Sequence, residues 1–228
     1  MTVTTTTLTR AAGLAAVTGG LLFIAVQINH PLLNAPFTTT TEYAVRETMK
    51  ILMAVLSLVG ITGIYLRQVR QIGVLGLIGY LLLGVGYLTI LGIQVIAVFA
   101  LPDLAASQPG YVNDALAVAH SGHPVGDVSH FQTLNNIAIT YIAGGVLFGI
   151  ALFRAGILAR WAAALMALGA VATIATFQLP ELTQRLFAVP AAVALIGLGY
   201  SLWREQRTPA VPVPASTDTP QLDPAGAR

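Results

Sequence analysis

Long apolar segments separated by short polar ones dominate the chain, and this alternation predicts membrane helices. A helix needs roughly 20 apolar residues to cross the ~30 Å hydrocarbon core of a bilayer. Six segments satisfy this requirement, at about 11–33, 48–66, 72–101, 134–153, 157–179 and 186–203. The pattern therefore predicts an all-α fold, a polytopic membrane bundle of six transmembrane helices.

The polar segments predict the remaining organisation. The Thr-rich residues 1–9 predict a disordered leader, 10–206 the six-helix transmembrane domain, and the Pro-rich 207–228 a disordered cytoplasmic tail. Residues 34–47 and 102–132 are expected to form solvated polar connections. The third apolar segment would measure about 45 Å as a helix. It must therefore tilt, kink or protrude from the bilayer.

Composition supports the membrane assignment. Charged residues make up 9% of the chain, against roughly 25% in soluble domains. The net charge of +2 comes without any basic patch interleaved with aromatic residues, so the partner is the lipid bilayer and not nucleic acid. The absence of cysteine excludes disulfides and thiolate chemistry. Nothing in the sequence determines the oligomeric state.

The distribution of basic residues predicts the orientation. With a cytoplasmic N-terminus, eight basic residues lie inside and three outside, which follows the positive-inside rule. We therefore expect a bacterial plasma-membrane protein with both termini in the cytoplasm. The inside set is Arg10, Arg67, Arg70, Arg154, Arg160, Arg204, Arg207 and Arg228, and the outside set is Arg46, Lys50 and Arg185.

Two short stretches resemble one another. Residues 96–104 and 174–182 agree at seven of nine positions, counting Asp103 against Glu181 as a match in charge. Each stretch ends an apolar segment with Leu-Pro-acid. The similarity suggests an internal repeat that pairs spans 2–3 with spans 4–5, related by an axis along the membrane normal.

The two acids are the first candidate catalytic groups. If each helix continues past its proline, Phe99 and Asp103 share one face at i, i+4, as do Phe177 and Glu181. A carboxyl group among apolar groups favours its protonated form, and two nearby acids favour one shared proton. The alternative is that each acid ends its helix at the interface and points into headgroups or water.

Glu47 is a third candidate catalytic acid. It stands near the start of span 2, where the helix dipole favours an acid. Arg46 and Lys50 are its natural partners. A structural role is the alternative to a catalytic one.

Histidines are concentrated in the longest polar connection. His120, His123 and His130 stand near Asp114 and Asp127, and together they supply ligand types suited to zinc or copper. The spacing matches no metal signature, so we expect a solvated loop, no metal and no cofactor.

Polar and aromatic residues within or beside the spans are candidates for substrate binding. Each has an alternative role in packing or at a helix end, since buried polar groups in lipid must find partners or face a cavity. The set is Tyr80, Tyr87, Phe99, Tyr141, Phe177, His30, Gln94 and Asn135.

Two resemblances bear on these residues. The six-span pattern, the turns at Arg70-Gln-Ile-Gly73 and Arg154-Ala-Gly156, and the Leu-Pro-acid ends resemble a broad group of uncharacterised actinobacterial membrane proteins over about residues 10–205. That resemblance implies no activity. In size, span number and acid placement the chain also resembles the small membrane-bound terpene cyclases of meroterpenoid and indole-terpenoid pathways. Pro102-Asp103 and Pro180-Glu181 carry one acid each, unlike the acid pairs of bacterial lycopene cyclases.

The second resemblance implies a metal-independent cyclase. A protonated acid would donate its proton to a lipid-soluble isoprenoid, and aromatic faces would stabilise the cation. The alternatives are a non-enzymatic binding, sensing or accessory protein and a small transporter. A transporter needs a continuous polar path, which the apolar cytoplasmic halves of the spans do not provide.

Overall fold

The structure, a computed structural model, describes residues 4–28, 31–119, 124–175 and 181–205. All regular secondary structure within these ranges is α-helical, as the hydropathy pattern predicts. The helices are α1 Thr5–Ala25, α2 Ala35–Thr38, α3 Thr41–Phe99, α4 Leu101–Leu104, α5 Pro109–Ala119, α6 Ser129–Ile137, α7 Ile139–Ala155, α8 Arg160–Ala175 and α9 Glu181–Glu205.

Helix α3 is a hairpin with two long arms. Gly73 breaks its helical geometry with φ 56° and ψ −157°, a left-handed conformation that glycine adopts without steric cost. The arms then run antiparallel. At the open end the Tyr43 hydroxyl donates to the carbonyl of Ala97 at 3.2 Å, and nearer the turn the Thr62 and Tyr80 hydroxyls lie 3.1 Å apart. The arms are residues 41–72 and 74–99.

Six long helical segments pack in chain order: α1, the two arms of α3, α6 with α7, α8 and α9. Each segment contacts the next, and α9 closes on α1. Glycine permits the closest contacts. A Cβ on Gly13 would lie 2.8 Å from the carbonyl oxygen of Gly199, and one on Gly79 would lie 2.4 Å from the backbone nitrogen of Phe148. Small residues therefore let the helix backbones approach, as is common in membrane bundles.

Three helices in the described part of the chain are long and apolar enough to cross a bilayer. They are Thr5–Ala25, Thr41–Phe99 and Ser129–Ala155. Large apolar side chains are exposed on the outer faces of the hairpin, among them Val74, Leu81 and Leu88. An apolar surface of this kind fits a lipid environment better than water. The fold is thus an all-helical bundle compatible with membrane insertion.

Short helices form a cap over the open end of the hairpin. Helices α2, α4, α5 and α6 enclose a second apolar core with the ends of both arms. Residues 102–132 were expected to be a solvated loop, and that expectation is wrong for their described part. The reason is that Val112, Ala115 and Leu116 recur at helical spacing on α5 and bury their side chains, as does Phe131 on α6.

Polar side chains fix the cap. The Asn113 side chain accepts a hydrogen bond from Ala35 N at 2.8 Å, which joins α5 to α2. The Asp114 carboxylate accepts from the backbone nitrogens of Val125 and Gly126 at 2.8 and 2.9 Å. Ser129 N donates to Asp127, and this hydrogen bond holds the pKa of the exposed Asp127 below its usual range. Asp114 and Asp127 therefore stabilise the fold of the segment 102–132.

The ends of the chain differ from expectation in one respect. Helix α1 begins at Thr5, inside the predicted leader. The Thr4 hydroxyl caps this helix because it accepts a hydrogen bond from the backbone nitrogen of Thr7 at 3.2 Å. The predicted tail, residues 207–228, lies outside the described residues.

Candidate functional site

A cavity lies where the hairpin meets the cap. Its volume is about 140 Å³, and it opens between the two arms of α3, α5 and α6. Most of the wall is apolar. Besides Tyr43, the side chains of Glu47, Lys50, Gln94 and Asn135 supply polar groups to its lining. We call this cavity the pocket.

A buried ion pair dominates the chemistry of the pocket. Lys50 Nζ lies 2.6 Å from Glu47 Oε1. Glu47 is 2% exposed and Lys50 is 9% exposed. Charges so far from water are tolerated when they are paired, because desolvation of each ion costs several kcal/mol. The two groups therefore depend on one another.

Helical spacing explains how both charges reach the pocket. The inner face of the first arm carries Tyr43, Glu47, Lys50 and Ala54, which are separated by four, three and four residues, and all four are buried. Residues at this spacing share one face of a helix. The hydrogen bond from Tyr43 to the second arm lies one turn from Glu47 and holds the arms together there. The pair thus stands on a rigid element.

Two amides complete the polar lining. Gln94 comes from the second arm and Asn135 from α6, and both are half-buried. Neither side-chain amide has a hydrogen-bonding partner among the residues that the structure describes. The pocket therefore presents unused donors and acceptors from two elements, opposite an ion pair from a third.

Asp103 does not reach this pocket. Helix α3 ends at Phe99, and α4 starts at Leu101 with Pro102 in its first turn. Proline lacks the N–H that would continue the helix, so the expected shared face is interrupted. Asp103 is exposed on α4, and Phe99 is 69% exposed. The expected burial of Asp103 beside apolar groups is wrong.

The second copy of the repeat lies largely outside the described residues. The backbone of Glu181 starts α9, but its side chain and all of Phe177 lie outside the described residues, as does His30. The expected meeting of Asp103 with Glu181 therefore stays a prediction.

The predicted aromatic residues pack against one another. Tyr80 stacks on Tyr65 with ring centroids 4.4 Å apart. Tyr87 and Tyr141 meet edge to face at 5.2 Å. All four belong to the bundle core or pack against it, and none of them lines the pocket. The structure thus places Tyr80, Tyr87 and Tyr141 in the packing between helices.

The predicted histidine cluster is described only in part. His120 and His123 lie outside the described ranges, and His130 starts α6. Across the described residues no group of three or more His, Asp or Glu side chains is placed to hold a metal ion.

Of the predicted candidates, Glu47, Gln94 and Asn135 converge on the pocket. Lys50 was expected as a partner of Glu47, and Arg46 as another. The structure pairs Lys50 with Glu47, while Arg46 contacts Glu42 at 2.9 Å. Tyr43 and Phe131 were not singled out, although the buried spacing of Tyr43, Glu47 and Lys50 is visible in the sequence.

A larger groove lies at the other end of the bundle. Its volume is about 720 Å³, and it lies between α1 and the first arm. Its one charged side chain, Arg67, forms an ion pair with Glu205. Threonines and apolar side chains form the rest of its lining, and its ion pair is about one-third exposed, whereas the ion pair of the smaller pocket is buried. The smaller pocket is therefore the candidate site.

Comparison with known proteins gives no match: no protein-family model, no curated protein and no solved structure matches this chain.

Proposed function

We propose that this protein is a six-span integral membrane protein that binds an amphipathic, lipid-soluble ligand in the pocket between its bundle and its cap. The observation that carries the proposal is the buried Glu47–Lys50 pair, which faces a cavity of about 140 Å³. Packing alone does not need charges there, since apolar residues of similar volume are often as stable or more so.

The six-span topology is supported by the hairpin. Its first arm, residues 41–72, and its second, residues 74–99, measure about 48 and 39 Å as helices. Each arm is long enough to cross the bilayer, so α3 contributes two spans. With α1, α6–α7, α8 and α9 the total is six. The excess of Arg at the end of the bundle that holds the Gly73 turn favours cytoplasmic termini. The cap and the pocket then lie at the outer surface. The internal repeat is not needed for this topology.

The position of the pocket fits a ligand that arrives from the membrane. The cavity lies at the outer end of the hairpin, near the level of the lipid headgroups in this topology. An amphipathic ligand would place its polar head against the ion pair and amides and leave its apolar part toward lipid. Half-buried Ile90 and Ala138 contribute apolar wall to the cavity.

A cyclase is the second candidate. Glu47, in place of Asp103, would be the acid, and Tyr43 and Phe131 line the same cavity as possible cation-stabilising rings. A catalytic acid must direct its proton at the alkene, whereas Glu47 Oε1 is already engaged by Lys50 Nζ at 2.6 Å. Binding without turnover therefore ranks first.

The test is to identify what co-purifies with the protein. Ala138→Phe places a ring in the pocket, and Ala106→Phe places the same ring on the exposed surface of the cap. Lipid extracts of wild type and both variants are compared by mass spectrometry. We expect one species enriched in wild type and Ala106→Phe and depleted in Ala138→Phe.

Equal lipid content in all three proteins would overturn the binding proposal. Conversion of an added isoprenoid by wild type, lost in Glu47→Gln, would favour the cyclase instead.

A further inference from the structure

We propose that the head of the ligand is an uncharged six-membered ring that carries oxygen substituents, as in a quinone or quinol, with an apolar tail. This inference rests on the proposed binding function and names the ligand class. Three properties of the pocket lead to it: size, charge balance and the placement of hydrogen-bonding groups.

Size limits the head to one ring. The pocket measures about 140 Å³. An engineered protein cavity of roughly 150 Å³ holds one benzene molecule. A disaccharide, a nucleotide or a fused polycyclic head is too large for this space. A single substituted ring fills it.

Charge balance excludes ionised heads. Glu47 and Lys50 neutralise one another at 2.6 Å. A carboxylate or phosphate head would add a second anion beside the single ammonium group of Lys50. A cationic head would add a second cation beside the single carboxylate of Glu47. Either leaves an uncompensated charge in a site screened from water, which is strongly unfavourable. An uncharged head keeps the pair intact.

The hydrogen-bonding groups favour more than one oxygen on the head. Lys50 keeps two N–H donors after its contact with Glu47, and Glu47 keeps one oxygen. Gln94 and Asn135 present amides from two further elements. A ligand with a single terminal hydroxyl can form hydrogen bonds with only some of these four side chains. Oxygens on separate ring positions can contact groups on different elements at once.

Both redox forms of such a ring find partners here. A quinone carbonyl accepts from the Lys50 ammonium or from an amide, and a quinol hydroxyl donates to Glu47. Tyr43 and Phe131 supply aromatic wall area, which suits a flat ring. The pocket is thus suited to holding either form.

The test compares four probes with the same ten-carbon tail. They are 2-decyl-1,4-benzoquinone, 1-decanol, decanoate and decylbenzene. Binding to the full-length protein in lipid nanodiscs is measured by isothermal titration calorimetry. We expect the benzoquinone to bind about tenfold more tightly than the others, since hydrogen bonds to charged groups contribute about that factor.

Two variants assign the binding to the pocket. The pair Glu47→Leu/Lys50→Met should lower benzoquinone affinity about tenfold and leave decylbenzene unchanged. Removal of the Glu42–Arg46 pair, which does not line the pocket, by Glu42→Gln/Arg46→Gln should leave the affinities for the benzoquinone and for decylbenzene unchanged. Should the pocket variant fail to fold, Asn135→Leu provides the same test with a smaller loss.

Tighter binding of decanol or decanoate than of the benzoquinone would overturn this inference. So would benzoquinone binding that both pocket variants leave unchanged. If a native lipid co-purifies yet the benzoquinone binds no better than decylbenzene, the ring assignment fails while the proposed binding function stands.

Discussion

Breaking the Glu47–Lys50 pair should destabilise the protein more than any other single change at its charged residues. Lys50→Met keeps the length of the side chain and removes its charge. It leaves the 2% exposed Glu47 carboxylate without its partner at 2.6 Å. An uncompensated buried charge costs about 3–5 kcal/mol. We therefore expect a loss of that size in the free energy of unfolding.

A double variant that lacks both charges separates the cost of burying the charges from the stabilisation that comes from pairing them. Glu47→Leu/Lys50→Met removes both charges, and such replacements are often neutral or stabilising by about 1–4 kcal/mol. The double variant should therefore be more stable than Lys50→Met alone. Glu42 and Arg46 form the control pair. Glu42 is 55% exposed, and Glu42→Gln, which leaves the hydrogen bond from Arg46 to the carbonyl of Ile28 in place, should cost at most about 1 kcal/mol.

The assay is unfolding in mixed micelles titrated with dodecyl sulfate and followed by circular dichroism. A Lys50→Met variant within about 1 kcal/mol of wild type would show that the carboxylate is hydrated or that another group compensates it. Either result would refute the buried pair, and with it the recognition chemistry assigned to the pocket.

Other parts of the fold give further tests. Gly79→Ala should destabilise the bundle by about 1–3 kcal/mol because its Cβ would overlap the backbone of α7, while Gly84→Ala, with open space around it, should not; the same titration decides. Gln68→Leu should stabilise the bundle by about 1–3 kcal/mol, since its buried amide has no partner within the described ranges, and a lower midpoint would contradict this. Asp114→Ala should loosen the cap and speed its hydrogen exchange, whereas the exposed Asp103→Asn should leave exchange and ligand binding unchanged.

The helical segments could be predicted because their cause is local. Runs of apolar residues indicate long helices, and glycine shortly after a basic residue indicates where two of the helices turn or end. Gly73 breaks α3 with φ 56°, and Gly156 ends α7 with φ 64°. Both belong to the Arg-to-Gly turns noted in the sequence. Backbone geometry at these positions follows from the residue itself.

The cap could not be predicted in the same way. Its helices are short, and helices of this length are marginal alone. They form because Val112 and Phe131 bury their side chains against the hairpin end, a tertiary contact that the polar composition of the segment conceals. For the same reason, the cavity beneath the cap could not be predicted from the sequence.

The candidate acids illustrate the limit of local argument. Asp103 was favoured because of its setting in a repeated stretch, but Pro102 starts a new helix that turns it outward. Glu47 was considered chiefly for its place near a helix start. Its importance depends on the second arm and α6, which enclose it from far along the chain.

The most direct test of the central claim is an experimental density map of the protein purified from its own membrane in mild detergent. The account predicts non-protein density of single-ring size beside Lys50 Nζ and Glu47, between Gln94 and Phe131, with a tail leading toward lipid. A pocket closed by repacked side chains, or an ion pair turned out to bulk solvent, would contradict it.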